Sequence, residues 1–302
     1  MVPGDYYRIQ TIINTVEATE LLKKVRRIEI KTRGLTRHIF AGEYHSAFRG
    51  RGIAFSEVRE YHYGDDIRSI DWNVTARFNH PYVKVFEEER ELTVMLIIDV
   101  SGSGDFGTVK EYKKELMTEV AALLSFSAIT NNDKIGVIFF TDKVEKFIPA
   151  QKGRKHILRI IRELLGFKPL SLGSSLDEPL RFLTNAIKKR CTAFVISDFM
   201  VPDFSEAIKI ASNKHDIVAL KIYDPAETKI PDIGFIKVTD AETGEERWID
   251  TSSRKIRKNY EQWYAEHLKH TRNIFMRYGI DWTNLSTAED YVKPLIKLFE
   301  SR

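Results

Sequence analysis

Val94-Met95-Leu96-Ile97-Ile98-Asp99-Val100-Ser101-Gly102-Ser103 is the stretch that decides the fold. Five consecutive apolar residues without polar alternation describe a strand covered on both faces, the pattern of a central strand in a parallel sheet. The run ends on an acid, and hydroxyls follow two and four residues after it. In an open α/β sheet the carboxyl ends of the strands form the crevice where ligands bind. Asp99, Ser101 and Ser103 therefore stand where a site is to be sought.

Reading outward, Ile135–Phe140, Ala193–Ser197 and Ile217–Ile222 are further apolar runs. Amphipathic stretches at about 108–130, 153–166, 175–190 and 203–213 separate them. Strands alternating with helices of this length imply a three-layer α/β fold with a mostly parallel sheet. Residues 233–239 and 246–250 flank Glu242-Thr243-Gly244-Glu245 and read as a hairpin. A long helix at 253–278, a last strand at Gly279-Ile280-Asp281-Trp282 and a closing helix at 288–300 follow. Upstream the texture differs. Residues 6–30 carry Ile9, Ile12, Ile13, Val16, Leu21, Leu22 and Val25 at roughly helical spacing. Residues 31–90 are rich in Gly, aromatic and charged residues, with β-like stretches at Arg37–Phe40 and Val83–Phe86. The expected organisation is an N-terminal helical and β-containing region, 1–90, and an α/β domain, 91–302, with a hairpin insertion near 232–251.

The whole-chain numbers agree with an ordinary globular protein. The chain has 302 residues, 43% hydrophobic and 30% charged, with 47 Lys+Arg against 43 Asp+Glu. That excludes collagenous and wholly disordered readings, and a net charge of +4 does not demand nucleic acid as a partner. No run approaches the roughly 20 apolar residues needed to span a membrane, and the N-terminus lacks a signal-peptide pattern. With Cys191 the only cysteine, no intrachain disulfide is possible, and a cytoplasmic location without membrane insertion is expected.

Two further loops match the first. Leu172-Gly173-Ser174-Ser175-Leu176 precedes a helix, and Ile196-Ser197-Asp198-Phe199 ends the third apolar strand. Asp99, Ser101, Ser103, Ser174 and Asp198 together have the chemistry of a Mg²⁺ or Mn²⁺ site, since a hard cation takes oxygen ligands and keeps several waters. Hydroxyls of Ser101, Ser103 and Ser174 suit direct contact, while Asp99 and Asp198 suit holding the coordinating waters. With few direct carboxylates the ion stays electron-poor and draws a carboxylate from another molecule. The plainer alternative is that both acids only cap turns.

The set Asp99-Val-Ser101-Gly-Ser103 with Ser174 and Asp198 resembles the metal-ion-dependent adhesion site of von Willebrand factor type A domains. Ser174 stands where that pattern usually has Thr, and keeps the hydroxyl. Gly52 to Trp72, most specifically Gly64-Asp65-Asp66-Ile67-Arg68-Ser69-Ile70-Asp71-Trp72, then Ala76-Arg77 and Val83-Lys84-Val85-Phe86-Glu87-Glu88-Glu89, resembles the bacterial "domain of unknown function 58" family. That resemblance implies a von Willebrand type A-like domain with a Rossmann-like sheet. It also implies a non-enzymatic, metal-dependent protein-binding module that partners a MoxR-type AAA+ ATPase or its client, the partner supplying the carboxylate.

Competing readings remain. A metal-dependent phosphohydrolase would use Asp99, but such sites favour paired acids, and the residue two after Asp99 is Ser101. The basic stretch Lys23, Lys24, Arg26, Arg27, Lys31, Arg33 and Arg37 offers a weak nucleic-acid or phosphate surface, or simply a solvated helix face. The paired acids of Gly64–Trp72 offer an acid–base site or a contact surface, against the plainer reading of turn and helix-start residues paired with Arg59, Arg68 or Arg77. His267 and His270 lack the spacing partners of a zinc site. Trp263, Tyr264 and Phe275 read as core residues of the long helix, and Cys191 as a small apolar filler.

Overall fold

A computed structural model describes residues 23, 25–32, 52–89, 92–105, 112–239 and 244–302. The expected helix at 6–30 and strand at Arg37–Phe40 fall largely outside them. The chain divides into two units, Phe48–Leu92 and the remainder. Of the residues before 48, the described helical residues 25–32 fall in the same unit as residues 93–302.

In the small unit, β1 (Gly52–Glu60) pairs antiparallel with β2 (Tyr82–Glu89). Between them, Asp71 caps α2 (Trp72–Phe78) by accepting from Asn73 N and Val74 N. The large unit begins with α1 (residues 25–32). Val25 and Ile28 are buried, Lys31 bonds Glu119, and Glu29 bonds Arg154. Lys23, Arg26 and Arg27 are exposed, as a solvated face requires.

Six strands form the central sheet: β3 (Thr93–Asp99), β4 (Lys134–Phe140), β5 (Val144–Gln151), β6 (Thr192–Ser197), β7 (Asp216–Tyr223) and β10 (Asp281–Ser286), in spatial order β10-β7-β6-β3-β4-β5. All neighbours are parallel except β5, which runs antiparallel to β4. The sheet is therefore mostly parallel, as expected, with one edge strand the sequence reading passed over. The separate hairpin β8 (Phe235–Thr239) and β9 (Glu246–Asp250) is present.

Alternation assigns the strand residues to two faces. Met95, Ile97, Ile138, Phe140, Val195 and Ala219 pack with Leu180 and Leu183 of α5 (Asp177–Ala186), Ile208 of α6 (Ser205–Lys214), and Ile274 and Phe275 of α7 (Arg254–Arg277). The intervening residues turn to the other face, where α3 (Lys113–Thr130), α4 (Arg154–Leu165) and α8 (Val292–Glu300) lie. Phe194, for example, meets Phe299 of α8 edge-on, with ring centroids 6.3 Å apart. α3 is buried nearly all round. Its Thr118, Ser125 and Ser127 hydroxyls return to carbonyls four residues back, so these three polar groups are satisfied within the helix.

The chain leaves β3 toward β4 and β5 at one edge, then returns to β6 on the other side of β3. The strand order reverses between β3 and β6, the place where an open α/β sheet presents its ligand crevice.

Two predictions follow from the packing. A Cβ at Gly136 would lie 2.8 Å from Ala150 N and Met95 Sδ and 2.9 Å from Ile148 O. Gly136→Ala forces the β4–β5 pair apart and should cost about 2 kcal/mol, read as a lower urea midpoint at unchanged slope. Fully buried His215, with Nδ1 3.3 Å from Cys191 Sγ, is held down to about pKa 4 by burial and by Lys214 and Arg190. Its unfolded value near 6.5 is higher, so the unfolded chain binds the proton first, and stability falls as pH drops from 6.5 toward 4. Between pH 7 and 5 this amounts to about 2 kcal/mol, and His215→Gln should flatten the urea midpoint over that range by a corresponding amount.

Candidate functional site

Four of the five residues singled out from the sequence are buried together at the β3/β6 switch point, with Ser103 half-buried beside them. Asp99 ends β3 and is 3% exposed. Its Oδ1 accepts from Ser101 N at 3.0 Å, and its Oδ2 accepts from Ser174 Oγ at 2.9 Å and Ser197 Oγ at 2.8 Å. Ser101 Oγ and Ser103 Oγ lie 3.2 Å apart. Backbone bonds tie the loops to one another: Gly102 N donates to Leu172 O, and Ser175 N to Thr141 O. The side chain of Asp105, an acid two residues after Ser103, lies outside the described residues.

Asp198, also 3% exposed, follows β6. Its Oδ1 accepts from Met200 N at 3.0 Å and its Oδ2 from Lys113 Nζ at 2.8 Å, and Ser103 adds a hydrogen bond. The chain turns sharply at the next residue. Buried Phe199 has φ 55°, an uncommon conformation for a bulky residue. Ser197 Oγ accepts from Phe199 N, and His267 Nε2 donates to Phe199 O at 2.7 Å. Phe204 packs against its ring at a tilt and Phe275 meets it edge-on.

The two carboxylates differ in electrostatics. Burial, and then the neighbouring charge of Asp198, push the Asp99 carboxyl above the usual range despite its hydrogen bonds. Burial also pushes Asp198 up, but the Lys113 ammonium and the hydrogen bonds outweigh it and hold Asp198 below that range. Asp198 thus has a protein cation bonded to it, and Asp99 has only neutral donors.

Sequence reasoning missed that cation. Lys113 is the first residue of α3, fully buried, and bonds Glu227 Oε1 at 2.5 Å as well as Asp198. Glu227 closes a capping box in Asp224-Pro225-Ala226-Glu227. Lys221, at the end of β7 beside Ser197, is 5% exposed. Its Nζ has no hydrogen-bond partner and lies 5.5 Å from the Tyr264 ring centroid. Burial brings its ammonium down to about 8 against the pull of Asp198 and Glu227. Tyr260 Oη donates to Glu227 O. Three residues of α7, Tyr260, Tyr264 and His267, thus face the site. Trp263, expected in the core, is instead half exposed, because it sits on the outward side of the same helix.

The remaining sequence candidates lie elsewhere. In Gly64–Trp72, Asp65 pairs with Arg59 through bonds of 2.8 and 2.7 Å, and the guanidinium holds its carboxyl at about 2. Asp66 and Asp71 cap helices. His270 faces Asp203 at 3.6 Å. Cys191 is buried, and burial pushes its thiol up to about 12.

Comparison with known proteins places these features. Over 290 residues the chain is 26% identical to uncharacterized protein Rv1480 of Mycobacterium tuberculosis, covering 95% of this chain and 91% of that one. Among solved structures, an aerotolerance-related membrane protein from Bacteroides fragilis is 16% identical, covering 70% of this chain and 100% of that one, with a TM-score of 0.46. The SpRpn10 VWA domain is 9% identical over 70% of this chain and 95% of its own, with a TM-score of 0.39. The expectation of a cytoplasmic chain is corrected here. Chains similar to this one are described as membrane proteins, and one cysteine with no apolar run does not assign a compartment. Among the described residues no helix is long and apolar enough to cross a membrane. Residues 57–270, which hold both the Gly64–Trp72 segment and the whole strand-end site, match the family model described as "Protein of unknown function DUF58", and the chain belongs to that family.

Proposed function

We propose that this chain is a protein-interaction module whose contact depends on a divalent cation, Mg²⁺ or Mn²⁺, held by Ser101, Ser103 and Ser174. The observation that carries the reading is the hydrogen-bond direction at Asp99. Ser174 and Ser197 spend their hydroxyl hydrogens on its Oδ2. A hydroxyl that donates to a carboxylate keeps its oxygen lone pairs for a cation. The donor set fits a hard ion: three hydroxyl oxygens beside two buried carboxylates, one of which faces no protein cation in its hydrogen bonds. When bound, the ion supplies an electron-poor centre that attracts an anionic oxygen ligand.

The residues of this chain do the rest. Asp99 orients the hydroxyls of Ser174 and Ser197 and balances the ion's charge. Asp198 holds Ser103 and suits the orientation of metal-bound water. The partner contributes an Asp or Glu carboxylate. The family resemblance points to a MoxR-type AAA+ ATPase or its client as that partner.

Asp99→Asn keeps the shape of the side chain and removes its charge. Mg²⁺ or Mn²⁺ should raise the melting temperature of the wild-type chain and leave that of Asp99→Asn unchanged. Capture of an AAA+ ATPase from native lysate should need both the metal and Asp99. Capture that persists in EDTA and in Asp99→Asn would falsify the proposal.

A further inference from the structure

The ammonium of Lys113 is an odd occupant of its place. It belongs to the first residue of an 18-residue helix, at the end where the helix dipole disfavours a cation. It is fully buried, which costs several kcal/mol for an ion unless its partners compensate. Its partners are Asp198 at 2.8 Å and Glu227 at 2.5 Å. One of them is a carboxylate of the candidate cation site, and the other belongs to a capping box that no cation contact requires. Tyr260 in turn ties the backbone of Glu227 to α7. The arrangement holds a positive charge against the wall of the cation site, on a side chain long enough to shift between two acids.

We propose that Lys113 is a tethered cation that competes with the divalent ion for Asp198, with Glu227 as the acid that takes Lys113 up when the ion binds. The proposal rests on the metal-dependent reading above. Asp198 bonded to Lys113 has one oxygen committed to an ammonium and the other to Met200 N. It is then a poorer acceptor for water on a metal, and the ammonium also repels the incoming charge. Glu227 lowers both penalties by sharing Lys113. The resting affinity is consequently set by the balance between the two acids.

The test is calorimetric titration of the full chain with Mn²⁺ and Mg²⁺. Lys113→Met should bind roughly tenfold more tightly than wild type, and Glu227→Gln, which leaves the ammonium to Asp198, roughly tenfold more weakly. Because Lys113→Met strands two buried acids and destabilises the fold, Lys113→Met/Glu227→Gln serves as its counterpart. This double variant preserves the net charge, so competition for Asp198 predicts tighter binding, and a general charge effect predicts none. Opposite shifts in the two single variants, or tighter binding by the double variant, support the proposal. Wild-type binding with no divergence among the variants overturns it and leaves the metal reading standing. Folded wild type and double variant that both take no metal overturn both.

Discussion

A carboxylate at the end of a buried central strand is the constraint on which the site depends. Val94 to Ile98 are wholly inaccessible, so Asp99 emerges from the core with no water on either side of the sheet. An ionised carboxylate in that position is costly unless donors surround it. The chain provides them from two loops and the end of β6: Ser101 N, Ser174 Oγ and Ser197 Oγ. Hydrogen bonds to a charged group are worth about 1.5–3 kcal/mol each, so the bonds that satisfy Asp99 also pin the loops. Fold and site are held by the same contacts. What stabilises the β3/β6 switch point also gathers the serines.

The second carboxylate is balanced in another way, and the difference gives the site its polarity. Asp198 is met by Lys113, itself shared with Glu227. Lys221 stands next along the sheet, packed on an aromatic face rather than on an acid. Such a cation–π contact is worth about 2 kcal/mol when desolvated, less than a full ion pair, which agrees with the lowered ammonium of Lys221. α7 organises this side. Tyr260, Tyr264 and His267 recur at steps of four and three, one face of a helix, and reach Glu227, Lys221 and Phe199 in turn. One helix therefore touches the acid that shares Lys113, the second buried lysine, and the strained residue after Asp198.

What the sequence made legible follows from burial. β3, β4, β6 and β7 are apolar on both faces, a pattern few other structures share, so their positions and parallel direction were readable, whereas their spatial order was not. β5 was not, because Val144-Glu145-Lys146-Phe147-Ile148-Pro149-Ala150-Gln151 carries charges and a proline, as suits an edge strand. Asp99, Ser101, Ser103, Ser174 and Asp198 were legible from their places at strand ends. Ser197 was hidden by standing next to Asp198, although alternation puts it on the face of Asp99. Lys113 was invisible, since Tyr112-Lys113-Lys114-Glu115 reads as any charged helix start. The one available signal was a cation where the helix dipole prefers an acid. Glu227 was more accessible, because Asp-Pro-Ala-Glu spells a capping box. Trp263 misled because an apolar residue on an amphipathic helix reads as core, and only the packing reveals which face is turned outward.

The chain also shows why an acid-rich motif is a weaker guide than a buried acid. Gly64–Trp72 carries three aspartates in nine residues, and by density alone it looks more chemical than the β3 loop. Yet Asp65 spends both oxygens on Arg59 and the backbone of His62, and Asp66 and Asp71 spend theirs on helix caps. Each is stabilised in its ionised form by local partners and has little left to offer a ligand. Asp99 is the reverse case. Its donors are neutral, its charge is buried, and its carboxyl is pushed upward. A group whose charged form the fold leaves partly uncompensated gains most from an incoming cation. Under the proposed function the interaction chemistry belongs to the strand ends, while Asp65, Asp66 and Asp71 are engaged by an arginine and by helix caps within the small unit.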